Sequence, residues 1–394
     1  MPPPTTTSRP TGPPKAFARG THRAVAPDAT WARIRPLLPR YGITRVADVT
    51  GLDHIGIPVF QAVRPGATTV SVSQGKGLTP MAARVSAAME AIELWHAEHV
   101  RASGPPRTAD ELGLPYDLAD LDLDPGSWVR PGSRLGWLTG QDLRSGADVP
   151  VPLDAVRLDH TYRAAWTPPG FHTTSNGLAS GNTVAEATAH ALAELYERDA
   201  LARLRARPAD AWTTLDPSTV PDPDCRALLD LFAGADITVR VIVAEREPAC
   251  FEARIHGDAY PITFTGAGCH LDPAIALCRA LTEAAQSRLT AITGARDDLP
   301  SVLYRTGTPP PRRDAGPGGR PCRWDWAAQD VLGFDEDVRV LTELLAERTG
   351  QAPIRVVLPS PDGIPVVKVV APGSRFDARL ELGDSGPRGA DGTA

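Results

Sequence analysis

The chain has 394 residues, 42% hydrophobic and 22% charged, with a formal net charge of −6 and a pI near 5.9. That length suits one large domain or two ordinary ones, and the acidic balance argues against general affinity for nucleic acid or an anionic membrane surface, which call for a basic face. Five cysteines with no C-x-x-C pair (Cys225, Cys250, Cys269, Cys278 and Cys322) argue against a disulfide framework or structural zinc; with no apolar h-region at the start and no run approaching about 18 apolar residues, a cytoplasmic protein is expected.

Residues 1–27, rich in Pro, Thr, Gly and Arg, read as a disordered arm. Residues 30–40 read as a short helix with Trp31, Ile34, Leu37 and Leu38 on one side, and 45–73 as short strands broken by Gly and Pro. A long helix is predicted from about Thr79 to His99. Residues 100–150 are Pro-, Gly- and Asp-rich with weak periodicity and read as a variable insert with little secondary structure. A second long helix is predicted over 183–206, a shorter one over 224–234, strands over 237–265 and a third long helix over 272–294. A Pro/Gly/Arg loop over 299–323, a helix over 335–348 and two strands joined by the turn Ser360-Pro361-Asp362-Gly363 complete the domain. From 373 to 394 the chain reads as a loose tail, which leaves 28–372 as one α+β domain.

The three long helices share a pattern: SAAMEAIE (86–93), HALAELYE (190–197) and RALTEAAQ (279–286). Each has a polar residue, then Glu four positions on, then an acid or amide three beyond that. On a helix these fall within roughly 60° of arc, so each trio is one polar stripe. Seven residues before each trio stands a candidate N-cap (Thr79, Thr183, Asp272), preceded by what reads as a glycine turn: Gly75-Lys76-Gly77, Gly177 to Gly181, and Gly266-Ala267-Gly268. The unit recurs at about 90 to 104 residues, too long for a solenoid, and reads as three related lobes around one site.

Glu90 and Glu93, and Glu194 and Glu197, are spaced so that both members of a pair can reach one pole of a site; Glu283 is the third helix's counterpart, and Glu186 extends the second stripe. Turned inward, such carboxylates need a cation, and hard oxygen donors from several elements with room for phosphate describe Mg²⁺. Lys76, Arg198 and Arg279 are the cations at hand, and guanidinium suits phosphate. A Mg²⁺–nucleotide site follows, although SQGKGLT (73–79) lacks the phosphate-loop spacing. Acidic pairs also decorate solvated helix faces; the Ala, Leu and Ile density around each stripe favours the inward reading.

Residues 45–93, 175–200 (SNGLASGNTVAEATAHALAELYERDA) and 266–296 together resemble the YcaO family, over roughly residues 45–372 less the inserts. The resemblance implies a YcaO-type fold, with mixed sheets and three long helices converging on a Mg–ATP site. It implies ATP-dependent phosphorylation of a backbone amide oxygen in a ribosomally made precursor peptide, then attack by a nucleophile at that carbon. By motif it assigns Glu90, Glu93, Glu186, Glu194, Glu197 and Glu283 to Mg²⁺, and Ser86, Asn182, Arg198 and Arg279 to nucleotide and phosphate, with Lys76 beside them; no protein nucleophile is required. His190 lies on the second stripe without an established role. The blocks look most like the thioamide-forming, TfuA-associated branch, and the ending SGPRGADGTA lacks the P-x-P-x-P tail of azoline-forming members. Azoline or macroamidine formation, and a non-catalytic accessory role in ribosomal-protein methylthiolation, are the alternatives. With no fused recognition domain visible, a separate TfuA-like or leader-binding partner is expected; a homodimer is compatible with the sequence, and neither nucleic acid nor membrane is an expected partner.

Other residues carry blander readings. His96 and His99 flank Glu98 without the H-E-x-x-H spacing and read as surface or capping groups. Asp48 and Asp53 read as turn formers or substrate contacts, Cys269 and Cys278 as packed thiols, Trp128, Trp137, Trp166 and Trp212 as packing groups or, for one of them, the lining of a peptide groove, and Arg305 to Arg323 as a solvated loop.

Overall fold

The computed structural model describes residues 15–124, 126–161, 170–258, 260–296, 299, 319–327 and 333–375. In chain order the helices are α1 (Pro27–Ile34), α2 (Pro80–His99), α3 (Ala109–Leu112), α4 (Val184–Arg205), α5 (Pro223–Gly234), α6 (Pro273–Thr293) and α7 (Phe334–Thr349). The strands are β1 (Arg45–Asp48), β2 (Val59–Val63), β3 (Val72–Lys76), β4 (Trp137–Asp142), β5 (Asp148–Pro152), β6 (Leu178–Ser180), β7 (Thr213–Leu215), β8 (Thr238–Glu245), β9 (Ala249–Gly257), β10 (Tyr260–His270), β11 (Arg320–Cys322), β12 (Ile354–Val357) and β13 (Val366–Val370). Among these residues, no helix is long and apolar enough to cross a membrane.

The strands form three sheets, in the orders β1-β2-β3, β10-β9-β8-β7-β11 and β5-β4-β12-β13-β6; all neighbours are antiparallel except β7 and β11. Each sheet carries one long helix: α2 lies on β2 and β3, α6 on β9 and β10, and α4 on β6 and β13 with α7 over its outer side. The repeat read from the sequence is thus a repeat of architecture, strand followed directly by capped helix. The caps are as expected. Thr79 Oγ1 accepts from the Ala82 N–H (3.2 Å), Thr183 Oγ1 from the Glu186 N–H (3.1 Å) and Asp272 Oδ1 from the Ala274 N–H (2.9 Å).

The glycines differ from expectation. Gly75 lies inside β3, and Gly266 and Gly268 inside β10, rather than in turns; of these motifs only Gly177, with φ +75°, adopts a left-handed conformation. The strand glycines allow close approach. A Cβ on Gly75 would stand 2.0 Å from the Ala87 nitrogen and 2.3 Å from the Ala83 oxygen, and one on Gly266 2.1 Å from the Ala284 nitrogen and 2.4 Å from the Ala280 oxygen. Glycine on the strand and alanines a turn apart on the helix let α2 and α6 rest on strand backbone. Because the obstacle is backbone and cannot rotate away, Gly75→Ala and Gly266→Ala should each lower stability by about 3 kcal/mol or more. Urea midpoints equal to the parent's would contradict this packing.

Three other segments depart from the sequence reading. The insert over 100–150 holds α3, β4 and most of β5, and β4 pairs with β12 (Ile354 opposite Asp142), so the insert supplies two of the third sheet's five strands. Its prolines hid the alternation: Pro150 and Pro152 sit on β5, the edge strand, where a missing N–H costs little. The arm is part of the fold over residues 15–26, where Lys15 pairs with Asp337 at 2.5 Å and Phe17 bridges Arg23. At the other end the Arg375 N–H donates to Asp199 Oδ1 (2.8 Å), and Arg348 also bonds that buried carboxylate. Residues 1–14, most of the Arg305 to Arg323 loop, Trp166 and the tail from 376 lie outside the described residues.

Candidate functional site

The polar stripes face the junction of the three lobes, and side chains from different lobes meet there. Lys76, at the end of β3, pairs with Glu283 of α6 at 2.6 Å, and Glu283 also accepts from the Ala267 N–H at 3.3 Å. Glu93 of α2 accepts from the Ser180 N–H (2.8 Å) and hydroxyl (2.6 Å) at the end of β6. Arg279 of α6 donates to His190 Nδ1 of α4 at 2.7 Å. Each pair of lobes is therefore tied by at least one polar contact between residues of the stripes or of the strands that lead into them.

Charge interactions confirm that the carboxylates converge. Burial pushes Glu90 up to about 7, with Glu194 adding repulsion against Arg296 and Lys76. Burial likewise pushes Glu93 up to about 8, with Glu90 and Glu194 adding to it, and Glu197 to about 7, with Glu283 and Glu194 adding to it. Glu283 goes the other way: burial raises it, but Lys76, Arg198 and the Ala267 N–H outweigh that and hold it below the usual carboxylate range. Glu90, Glu93, Glu194 and Glu283 are only half-buried, so the cluster lines a crevice within reach of solvent. Carboxylates on rigid helices that repel one another until positive charge arrives suit hard divalent cations, although no three of these glutamates offer ligand atoms within 4.8 Å of one another in this structure.

Glu186 stands apart. It is two turns upstream of Glu194, about 12 Å along the axis, and its carboxylate already accepts from the Ala24 N–H (3.0 Å), Asn182 Nδ2 (3.2 Å) and Arg23 (3.4 Å). Asn182 in turn accepts from the Thr30 hydroxyl at 2.9 Å. Ser86 is half-buried one turn before Glu90.

Beside the carboxylate cluster is a cavity lined by His22, Arg23, Glu186, His190, His270 and Arg279 among others. Its histidines are held neutral. Burial, then Lys15 and Arg23, lower His22 to about 4; burial, then Arg279 and other cations, lower His190 well below its usual value; burial, then His22 and Arg279, do the same to His270. His22, His270 and Asp337 offer ligand atoms within 4.8 Å of one another. Lys15 sits on Asp337 Oδ2 and His270 Nδ1 accepts from the Asp272 N–H at 2.8 Å, whereas Asp337 Oδ1 and His22 Nδ1 are buried with no hydrogen-bond partner among the described residues.

Sequence reasoning missed Ser180, His22, Arg23 and His270. Arg23 had no local signal, since its partner Glu186 is 163 residues away. His190 did have one, because it occupies the stripe position held by Ser86 and Arg279. Asp53 is a structural partner of Arg288 (2.9 Å, both buried), and Asp48 caps the turn at Thr50 (3.0 Å). His96 and His99 bond carbonyls four residues back, at 2.8 Å and 2.7 Å.

The model of a family described as YcaO cyclodehydratase, ATP- and Mg²⁺-binding, matches residues 74–375. An uncharacterized protein of Mycobacterium tuberculosis is 42% identical over 368 residues, covering 91% of this chain and 83% of its own length. An uncharacterized protein in the tfuA 3′ region of Rhizobium leguminosarum bv. trifolii is 41% identical over 300 residues, covering 72% of this chain and 70% of its own. Among solved structures, YcaO from Methanopyrus kandleri, bound with AMPPCP and Mg²⁺, matches with a TM-score of 0.69 at 24% identity over 92% of this chain and 94% of that one. At that identity the likeness speaks to the fold.

Proposed function

This chain belongs to the YcaO family, which binds ATP and Mg²⁺, and from that premise we propose that it activates a backbone amide of a ribosomally made peptide by O-phosphorylation and admits sulfide to the activated carbon, leaving a thioamide. The observation that carries the activating half is the meeting of Glu90, Glu93, Glu194, Glu197 and Glu283 from three helices, three of them held up at about 7 to 8 by burial and one another. What supports sulfide as nucleophile is the relative in a tfuA region, together with the resemblance of the sequence blocks.

In this reading those five glutamates would hold Mg²⁺, which would supply positive charge to the transferring phosphoryl group. Lys76, Arg198 and Arg279 bind and orient the phosphates, with Lys76 also keeping Glu283 ionised. Ser86 and Asn182 contact the nucleotide, and Glu186, fastened to Arg23 and Ala24, shapes the adjoining cavity rather than the carboxylate cluster. The amide oxygen takes the γ-phosphoryl group and ADP leaves; hydrosulfide then adds to the carbon and phosphate departs with the original oxygen. No side chain need become covalently attached.

The experiment is co-production of the chain with a candidate precursor peptide, with and without a TfuA-like partner, followed by mass spectrometry. Exchange of oxygen for sulfur raises the peptide mass. The expected result is that gain, dependent on the partner, with the chain alone binding ATP but modifying peptide poorly. Loss of water would instead establish azoline formation and overturn the sulfide assignment while leaving amide activation standing.

A further inference from the structure

The contact between His190 and Arg279 has a chemical direction. Arg279 Nη2 lies 2.7 Å from His190 Nδ1 and 3.3 Å from its Nε2; a guanidinium has only N–H groups to offer, so the ring nitrogen it bonds must accept. An imidazole accepting at that nitrogen is the neutral form. His190 comes from α4 and Arg279 from α6, so the bond also crosses between lobes. We propose that His190 is a positioning residue: it fixes the Arg279 guanidinium at the junction of the polar stripes and, being an uncharged acceptor, leaves the positive charge undiminished for the anionic ligand. This rests on the nucleotide site proposed above.

The surroundings explain why an uncharged acceptor is suited to the task. Arg279 is already within the fields of Glu197 and Glu283, and a further carboxylate at position 190 would neutralise it outright. Burial and the nearby Arg279, Arg23 and Lys76 keep the imidazole unprotonated, so it does not compete with Arg279 for an anion. An arginine left without any acceptor would keep its charge but lose its direction, and misplacement of a phosphate-binding fork is costly.

The test compares His190→Leu, His190→Gln and His190→Glu, each alone and on an Arg279→Met background. MgATP binding is measured by calorimetry, and KM for ATP is separated from kcat. Expected are a loss of MgATP affinity of roughly 10- to 100-fold for His190→Leu, a change within about 3-fold for His190→Gln, which keeps a neutral acceptor, and a loss for His190→Glu at least as large as for His190→Leu. On the Arg279→Met background His190→Leu should add nothing, because it acts through the arginine. Thermal melting checks that each variant folds; should His190→Leu not fold, His190→Ala takes its place with the same expectation. Parent-like binding by His190→Leu, failure of His190→Gln to rescue, or a further loss on the Arg279→Met background overturns the proposal. If Arg279→Met itself binds MgATP like the parent, the nucleotide site falls and this inference with it, an outcome distinct from a silent His190→Leu beside a damaged Arg279→Met.

Discussion

Glu90→Gln and Glu194→Gln are each expected to lose Mg²⁺-dependent ATP hydrolysis by at least roughly 10³-fold, while the metal-free Glu90→Gln protein melts no lower than the parent. The two halves follow from one cause. Burial, with Glu194 adding repulsion, holds Glu90 up at about 7 when no cation is present. Glutamine keeps the volume and removes a charge that the empty cluster opposes, so the apoprotein loses nothing by the change. The same charge is what a divalent cation needs, and a neutral amide oxygen is a much poorer ligand for it. The measurements are steady-state hydrolysis at saturating Mg²⁺ and thermal melting in a chelator. Parent-like turnover by both variants would show that these helices do not carry the metal site. Loss of turnover with a collapse of the chelated protein would mean that the glutamates hold the fold instead.

Mg²⁺ affinity should fall by roughly 100-fold or more between pH 8 and pH 6. Glu90 and Glu197 lie at about 7 and Glu93 at about 8, so all three must shed protons before they can ligate. Glu283, held low by Lys76 and Arg198 against its burial, stays ionised throughout. The same groups set the stability of the metal-free protein. Their folded values exceed the usual 4.5, so the folded state binds the extra protons; the stability they contribute is complete below about pH 4.5 and lost as pH rises through 7 to 8. The buried histidines act oppositely, because His22, His190 and His270 are depressed below 6.5 and their contribution is lost as pH falls below that value. Of these two sets only the glutamates change protonation above pH 6.5. Between pH 6.5 and 8 the chelated protein should lose about 1–3 kcal/mol, discounted for the solvent that reaches half-buried Glu90 and Glu93, which Mg²⁺ restores at the upper end. Calorimetric titration at three pH values, with proton release followed in buffers of different ionisation enthalpy, measures it. An affinity flat across that range would remove these carboxylates from the metal site.

The helices were legible because their signals are local: Thr79, Thr183 and Asp272 cap within three residues, and the recurring stripe marked which face carries the acids. That the stripes meet was an expectation from recurrence and resemblance; the contacts Lys76–Glu283, Glu93–Ser180 and His190–Arg279 now supply its geometry. What escaped was non-local. Gly75 and Gly266 read as turn residues because glycine's freedom is visible in sequence, whereas the alanine backbone it must clear is not. Strands β4 and β5 escaped because edge prolines mask alternation, and the arm because Lys15 pairs with Asp337, far away in sequence.

The cross-lobe contacts give the site a property that none of the sheets has alone. Since Lys76–Glu283, Glu93–Ser180 and His190–Arg279 each span a different pair of lobes, the cluster is a keystone arrangement: it exists only while all three blocks are assembled. Loosening any one of them withdraws the side chains contributed by that block and releases their partners on the other two. Occupancy by a charged ligand and the cohesion of the three blocks are then thermodynamically linked, so whatever parts the blocks also weakens the hold on the ligand.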